Sequence, residues 1–182
     1  YMILGGVPFY LSLLNNQWSL PKNIDELCFS KNGLLSREFD ELYNALFTNA
    51  DKYITIVKTL SKHEMGLTRT DIVNKTKIQG STLTRMLNNL EKCGFIINYT
   101  QFGKNDNLER CGFISSYSQF GNKSKLKLFR LSDFYTLFYF RFIQPNYKEA
   151  DFWQKNINRP AINTWQGLTF ELICLLHLDQ IK

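Results

Sequence analysis

The sequence predicts a mainly α-helical protein with a small β-hairpin, arranged as a winged helix-turn-helix with flanking helices. Three observations carry this prediction. A short helix, a turn containing glycine and a longer amphipathic helix follow one another between Thr68 and Gly94. A strand-like alternation follows at Lys123–Arg130, and helical apolar patterns lie on both sides. With 44% hydrophobic residues the chain can bury a core, which argues against wholesale disorder.

Two helices are predicted before this motif. Residues 5–8, Gly-Gly-Val-Pro, are typical of a turn that enters a helix. Ser36 is expected to cap the first longer helix, because apolar residues then recur on one helical face. These residues are Phe39, Leu42, Tyr43, Leu46 and Phe47. The next helix begins at about Asp51, and its buried side is predicted to hold Tyr53, Ile56, Val57 and Leu60.

The central motif has recognisable helix starts and ends. Thr68 and Asp71 have the spacing of a capping box, with Asp in place of the usual Glu, and open a short helix. Residues 77–80 make the turn, and Ser81 is expected to cap the second helix. Gly94 ends that helix as a C-terminal cap. Its apolar face is formed by Leu83, Met86, Leu87 and Leu90.

A tandem duplication follows the motif. Residues 89–106 and 107–124 are identical at eleven of 18 positions, and we expect the extra copy to enlarge a wing or loop. The second copy leads into a strand in which Lys123, Lys125 and Lys127 alternate with Leu126 and Leu128 on the opposite face. Its hairpin partner is predicted to be either residues 95–99 or residues 113–117.

The remaining chain predicts two more helices. Ser132 or Asp133 caps an aromatic segment, residues 134–143, that is apolar almost all round and stops before Pro145. We expect such a helix to be buried, either in a contact between domains or in a contact between subunits of a homo-oligomer. Asn163 is predicted to cap the last helix, which contains Trp165, Phe170, Glu171, Ile173 and Leu176.

The polar face of the second motif helix is the candidate DNA-binding site. Its hydroxyl, amide and cationic side chains are the types that contact phosphates and base edges. They are Ser81, Thr82, Thr84, Arg85, Asn88, Asn89 and Lys92, to which the wing adds Lys123, Lys125 and Lys127. The net charge is +6, and residues 85–130 hold eight basic residues against three acids. A solvated or partner-binding face is the alternative.

The sequence argues against catalysis in this segment. It contains neither a G-x-x-x-x-G-K-[ST] loop nor a G-x-S-x-G motif, and no His stands where it would pair with a nucleophilic Cys. The four cysteines form no C-x-x-C pair, so we expect no metal, no cofactor and reduced thiols in a cytoplasmic setting. Arg141 interrupts the longest apolar run, far short of a membrane span.

Five stretches carry a resemblance to a known family. They are residues 5–10, 34–47, 68–94, 131–143 and 165–171. Their order resembles that of bacterial and archaeal AAA+/STAND-like ATPases, in which a nucleotide-binding module precedes a helical lid, a winged helix and a domain related to PD-(D/E)xK nucleases. The resemblance implies that Gly6 and Pro8 belong to a nucleotide-sensing lid motif and that an upstream module binds ATP and Mg²⁺. Glu171 would match the helix glutamate of the nuclease-like fold. The duplication departs from the family pattern.

This resemblance divides the chain into four predicted parts. They are a lid remnant (1–33), a winged helix-turn-helix domain (34–132), an aromatic helix with linker (133–162) and the start of a nuclease-like domain (163–182). We therefore expect a non-catalytic piece of a larger ATPase. Double-stranded DNA and the upstream ATPase module are its expected partners. The alternative function is a protein-interaction or autoinhibitory arm that controls the ATPase without binding DNA.

Overall fold

The computed structural model describes residues 1–101 and 126–177, which divide into two compact units. Unit 1 consists of Tyr1–Ile54 and Ser132–His177, and the described part of unit 2 lies within Thr55–Leu131. Most of the duplicated segment, including the predicted strand at residues 113–117, lies outside the described residues. The predicted class, mainly helical with a small antiparallel sheet, is confirmed.

The elements run in the following order. The first part of the chain forms α1 (Pro8–Ser12), α2 (Leu20–Ile24) with a π-helical turn (Asp25–Phe29), α3 (Leu35–Leu46) and α4 (Ala50–Leu60). The middle part forms β1 (Leu67–Thr68), α5 (Arg69–Thr76), α6 (Gly80–Lys92), β2 (Ile96–Gln101) and β3 (Leu126–Leu131). The last part forms α7 (Phe134–Phe138) with a π-helical turn (Tyr139–Ile143), α8 (Phe152–Asn156) and α9 (Pro160–Leu176).

Aromatic side chains form the core of unit 1. Phe39 of α3 stacks on Tyr139, with 4.1 Å between ring centroids. Phe138 of α7 meets the rings of Trp153 and Trp165 at 5.2 and 5.5 Å. Such pairs add about 0.5–1.5 kcal/mol each beyond the area that they bury. The aromatic segment at 134–143 is therefore helical and buried, as predicted, and its rings pack within this unit. The homo-oligomer contact stays a prediction.

A buried carboxylate joins two elements of unit 1. Asp25, only 3% exposed, accepts hydrogen bonds from the backbone N–H groups of Trp153 (2.6 Å) and Gln154 (3.0 Å). These groups lie in the first turn of α8, where backbone donors have no partner within the helix. The residue that precedes α8, Asp151, adopts a left-handed conformation and provides no side-chain cap. Asp25 therefore acts as the N-terminal cap of α8 from a distant part of the chain.

Unit 2 packs helices against one face of a three-stranded antiparallel sheet. The strand order is β1-β3-β2, so the central strand is the last in sequence. Leu67 lies opposite Phe129, and Ile96 lies opposite Leu131, and all four side chains are buried. Strand β2 covers the first of the two predicted hairpin partners. Strand β1 was not predicted, because two residues are too short for an alternating pattern.

Three predicted helix caps are wrong. Helix α3 begins at Leu35, and the Ser36 hydroxyl donates instead to the carbonyl of Gly33. Helix α6 begins at Gly80, one residue before Ser81. Helix α9 begins at Pro160, not after Asn163, since proline has the backbone angle that a first helical position needs. A residue of a capping type therefore indicates where along the sequence a helix begins to within a few residues, but it does not identify the first residue of the helix.

Three other predicted caps are confirmed. Asp133 accepts a hydrogen bond from the Thr136 N–H at the start of α7, and Thr68 caps α5. Gly94, with a φ of 79°, follows the end of α6, and the next N–H bonds back to the Leu90 carbonyl at 2.9 Å.

The two compact units group the helices differently from the predicted domains, which stay a prediction. Helix α3 was assigned to the same domain as the central motif, but it lies in unit 1. The reason is its apolar face, because Phe39 and Tyr43 are buried in the aromatic core of that unit. Leu46, predicted on the same face, is exposed at the last residue of the helix.

Removing the Asp25 carboxylate should destabilise unit 1. Asp25→Ala leaves two N–H groups of α8 without acceptors, which should lower the free energy of unfolding by about 2–4 kcal/mol. Urea unfolding followed by tryptophan fluorescence measures this, since Trp153 donates one of the two bonds. The control is Glu26→Ala, which removes an exposed carboxylate from the next residue. Equal stability of the two variants would contradict the capping role.

Candidate nucleic-acid interface

Helix α6 has one face buried in unit 2 and one face exposed. Its buried side chains are Leu83, Met86, Leu87 and Leu90, at the spacing predicted from the sequence. Because 3.6 residues make one turn, this spacing places the polar residues between them on the opposite side. The exposed side chains form a row along the helix axis, which we call the α6 row. It consists of Ser81, Thr84, Arg85, Asn88 and Lys92.

The α6 row lines an open depression in the surface. Its volume is about 470 Å³, and its lining consists of Ser81, Thr84, Arg85, Asn88, Asn89 and Lys92. Six of the seven helix residues predicted to contact DNA are thus brought together. Thr82 is the one that lies outside this lining, and it is half-buried. Asn89 belongs to the lining and is also half-buried. Within the described part of the chain, Arg85 and Lys92 form no ion pair.

The single acid of α6 is bound to the sheet. Glu91 accepts a hydrogen bond from the Asn98 side-chain amide on β2. The cations of the α6 row are therefore not neutralised by it. The described residues of unit 2 include nine Lys and Arg against three Asp and Glu, whereas those of unit 1 include eight against ten. The positive charge of the protein is concentrated in the unit that carries α6, which favours a polyanionic partner.

The turn before α6 is short and has a defined backbone. Lys77 ends α5 in the left-handed region with a φ of 61°, and Gly80 begins α6 with a φ of 66°. Three residues separate the two helices, and glycine adopts a positive φ at less cost than other residues do. The predicted capping box opens α5: the Asp71 N–H donates to the Thr68 hydroxyl at 3.2 Å, and the Thr68 N–H donates to the Asp71 carboxylate at 3.1 Å. The Thr68 hydroxyl also lies 2.6 Å from the Asp71 carboxylate, and this hydrogen bond, followed by the one from the Thr68 N–H, holds the pKa of Asp71 below its usual value.

Sequence reasoning missed Arg69, which reaches α6 from the start of α5. Its Nη2 donates to the Gly80 carbonyl at 2.9 Å and to the Thr84 hydroxyl at 3.3 Å. Thr84 in turn donates to the same carbonyl at 3.3 Å. The Thr84 hydroxyl is therefore already engaged inside unit 2. A sequence pattern gives little sign of this contact, because the two side chains are fifteen positions apart across a turn.

Only one of the predicted wing lysines is described. Lys127 is exposed on β3, with its Nζ 5.4 Å from the centroid of the Phe129 ring. Lys127 lies on the same face of β3 as Phe129 and Leu131, which are buried. The face that carries the lysine is therefore the buried one, and Leu128, on the opposite face, is half-exposed. Lys123 and Lys125 lie outside the described residues.

The residues assigned to nucleotide sensing lie at the start of unit 1. Gly6 has a φ of 74° and lies against the ring of Tyr1, and Pro8 is the exposed first residue of α1. The predicted turn and helix entry are confirmed. The role in nucleotide sensing stays a prediction.

Comparisons with protein-family models, curated proteins and solved structures find no match to this chain. In residues 1–101 and 126–177, no three His, Cys, Asp or Glu side chains cluster as metal ligands would. No helix in these ranges has the length and apolar character that crossing a membrane requires.

The capping box should make the stability of unit 2 depend on pH. The lowered pKa of Asp71 means that its charged form stabilises the fold above the ordinary pKa of 3.8, and that this contribution is lost as the pH falls through the folded-state pKa. Asp71→Asn should therefore cost about 0.3–1 kcal/mol at pH 7. Chemical unfolding at several pH values should show this difference shrinking below about pH 4.

The control for this measurement is Glu64→Gln, which neutralises an exposed acid of the same unit. A difference between wild type and Asp71→Asn that stays constant from pH 7 to pH 3 would speak against the capping contribution.

Proposed function

We propose that unit 2 is a winged-helix module that binds double-stranded DNA, with α6 as the helix that enters the major groove. The element order supports this: a helix, a short strand, a helix, a tight turn, a second helix and two strands that pair. In helix-turn-helix proteins the second helix of the turn contacts base edges, while neighbouring groups contact the backbone.

The observation that carries the proposal is the α6 row. Arg85 and Lys92 are exposed cations, Asn88 is an exposed amide, and the acid of the same helix is bound to Asn98. Arg and Asn side chains make bidentate contacts with guanine and adenine in the major groove. Lys92 is suited to a phosphate, which it would bind without regard to sequence. A row of this composition fits DNA better than it fits an apolar protein surface.

The order of the five stretches that resemble AAA+/STAND-like ATPases extends the proposal to the whole protein. We infer that the DNA-binding unit regulates an AAA+/STAND-like ATPase, and that ATP and Mg²⁺ bind to the ATPase module, not to this segment. Two experiments test this extension. This chain should co-purify with the ATPase module, and adding DNA should change the rate at which that module hydrolyses ATP.

Removing cations from the α6 row should weaken DNA binding. Arg85→Ala combined with Lys92→Ala should raise the Kd for a fluorescent 30-base-pair duplex at least about tenfold, because each cation contributes on the order of 1 kcal/mol or more. Fluorescence anisotropy at about 50 mM salt measures this, and the affinity of the wild type should fall steeply as salt increases.

The matched control removes one arginine and one lysine from unit 1. Arg141→Ala combined with Lys31→Ala changes two exposed cations and should leave the Kd unchanged. If the wild type fails to bind duplex DNA at low salt, the proposal is wrong, and the interaction arm becomes the better function. An equal loss in the control would mean that only net charge matters.

Arg85 should also determine which sequence is preferred. Selection from a random duplex pool should give the wild type a guanine preference at one position, and Arg85→Ala should lose it at that position alone. Lys92→Ala should weaken all sequences about equally. Identical selected sequences for wild type and Arg85→Ala would place Arg85 outside the base contacts.

A further inference from the structure

The N-terminal end of the α6 row lacks charge of its own. The first turn and a half of the helix presents hydroxyl groups, from Ser81, Thr82 and Thr84, and its first cation is Arg85. At a rise of 1.5 Å per residue, Arg85 lies about 7 Å along the axis from Gly80, and Lys92 lies about 10 Å farther. A side-chain cation at the beginning of α6 therefore has to come from another element.

Arg69 places a guanidinium at this position. It is exposed, and its Nη2 bonds to the Gly80 carbonyl at 2.9 Å and to the Thr84 hydroxyl at 3.3 Å. A guanidinium has five N–H donors, and these two contacts engage Nη2 alone. No hydrogen bond or ion pair to another described residue engages Nη1 or Nε. The group is thus held in place while part of it still faces outward.

The contacts of Arg69 also lower the cost of binding a ligand. Ordering a long side chain on association costs conformational entropy, and a side chain that is already bonded has lost part of this freedom. The two contacts occupy both N–H groups of Nη2, which belongs to both bidentate edges of the guanidinium. The N–H groups of Nη1 and Nε remain as donors, each to a single phosphate oxygen.

We propose that Arg69 is a DNA-backbone ligand, which binds a phosphate at the N-terminal end of α6. This inference rests on the proposed DNA binding and assigns the ligand chemistry at that end of the site. Together with Arg85 and Lys92 it extends the cationic row over the whole length of α6. Thr84 is then a positioning residue, since its hydroxyl holds Arg69 and the Gly80 carbonyl and is not itself free for a base.

The salt dependence of binding tests this role, because a purely structural residue does not change it. Each phosphate contact contributes about 0.9 to the slope of log Kd against log salt on duplex DNA. Arg69→Ala should lower this slope by about one, and it should weaken specific and random duplexes by the same factor. Arg69→Lys should restore the slope, since it restores the charge.

Two further variants separate the charge from the fold. Arg69→Gln removes the charge and keeps a hydrogen-bond donor for the Gly80 carbonyl, so it should also lose about one in slope even if Arg69→Ala does not fold. Thr84→Val breaks the hydroxyl contact and keeps the cation, so its slope should equal that of the wild type. Circular dichroism establishes that each variant is folded.

Two outcomes would overturn the inference, and they are distinguishable. If the wild type binds DNA and Arg85→Ala weakens it, but Arg69→Gln leaves the slope unchanged, then Arg69 is not a phosphate ligand and the proposed function stands. If the wild type does not bind duplex DNA at about 50 mM salt, then the proposed function fails and this inference fails with it.

Discussion

The rotation of α6 about its own axis is the constraint on which the candidate interface depends. Leu83, Met86, Leu87 and Leu90 are all at most 2% exposed. Burying a side chain of this size contributes about 1.5–3 kcal/mol, so turning the helix by one residue would expose several of them at a cost comparable to the stability of a small domain. The direction in which Arg85 and Asn88 point is therefore set by apolar packing on the other side of the helix. The exposed row of α6 contributes little to folding stability, and its orientation is fixed by the buried face, which contributes much.

The same packing extends through the turn to the sheet. Thr68 pairs with Leu128 in the β1–β3 ladder, and it also caps α5 through the Asp71 N–H. Helix α5 then places Arg69 against the first turn of α6, where Gly80 has the backbone conformation that a tight turn needs. One short stretch of chain thus connects the central strand to the exposed helix. These contacts, which all lie within unit 2, fix the position of the first turn of α6.

The apolar pattern of the sequence was enough to predict α3, α4 and α6, the buried faces of α4 and α6, and the buried Phe39 and Tyr43 of α3, because helical periodicity follows directly from burial. Helix starts were less predictable: Ser81 and Asn163 are good capping residues, but the chain begins those helices where Gly80 and Pro160 suit the backbone. Strand β1 and the grouping of α3 with the aromatic unit depend on pairings between distant residues, which no local pattern contains. The part of the candidate site that lies on α6 was predicted, because its residues follow the periodicity of a single helix. Arg69 was missed because its position depends on the path of a turn.

The charges of unit 2 are difficult to explain by stability alone. Within the described residues Arg85 and Lys92 have no ion-pair partner, and Glu91, the acid on the same helix, is turned to Asn98. An exposed cation without a partner contributes almost nothing to folding, and even a paired one contributes little. Unit 1 reaches a packed aromatic core with slightly more acids than bases, so a basic composition is not a requirement of the chain as a whole. A concentration of unpaired cations along one helix, beside a guanidinium already fixed by Gly80 and Thr84, is therefore better explained by an anionic partner than by the fold.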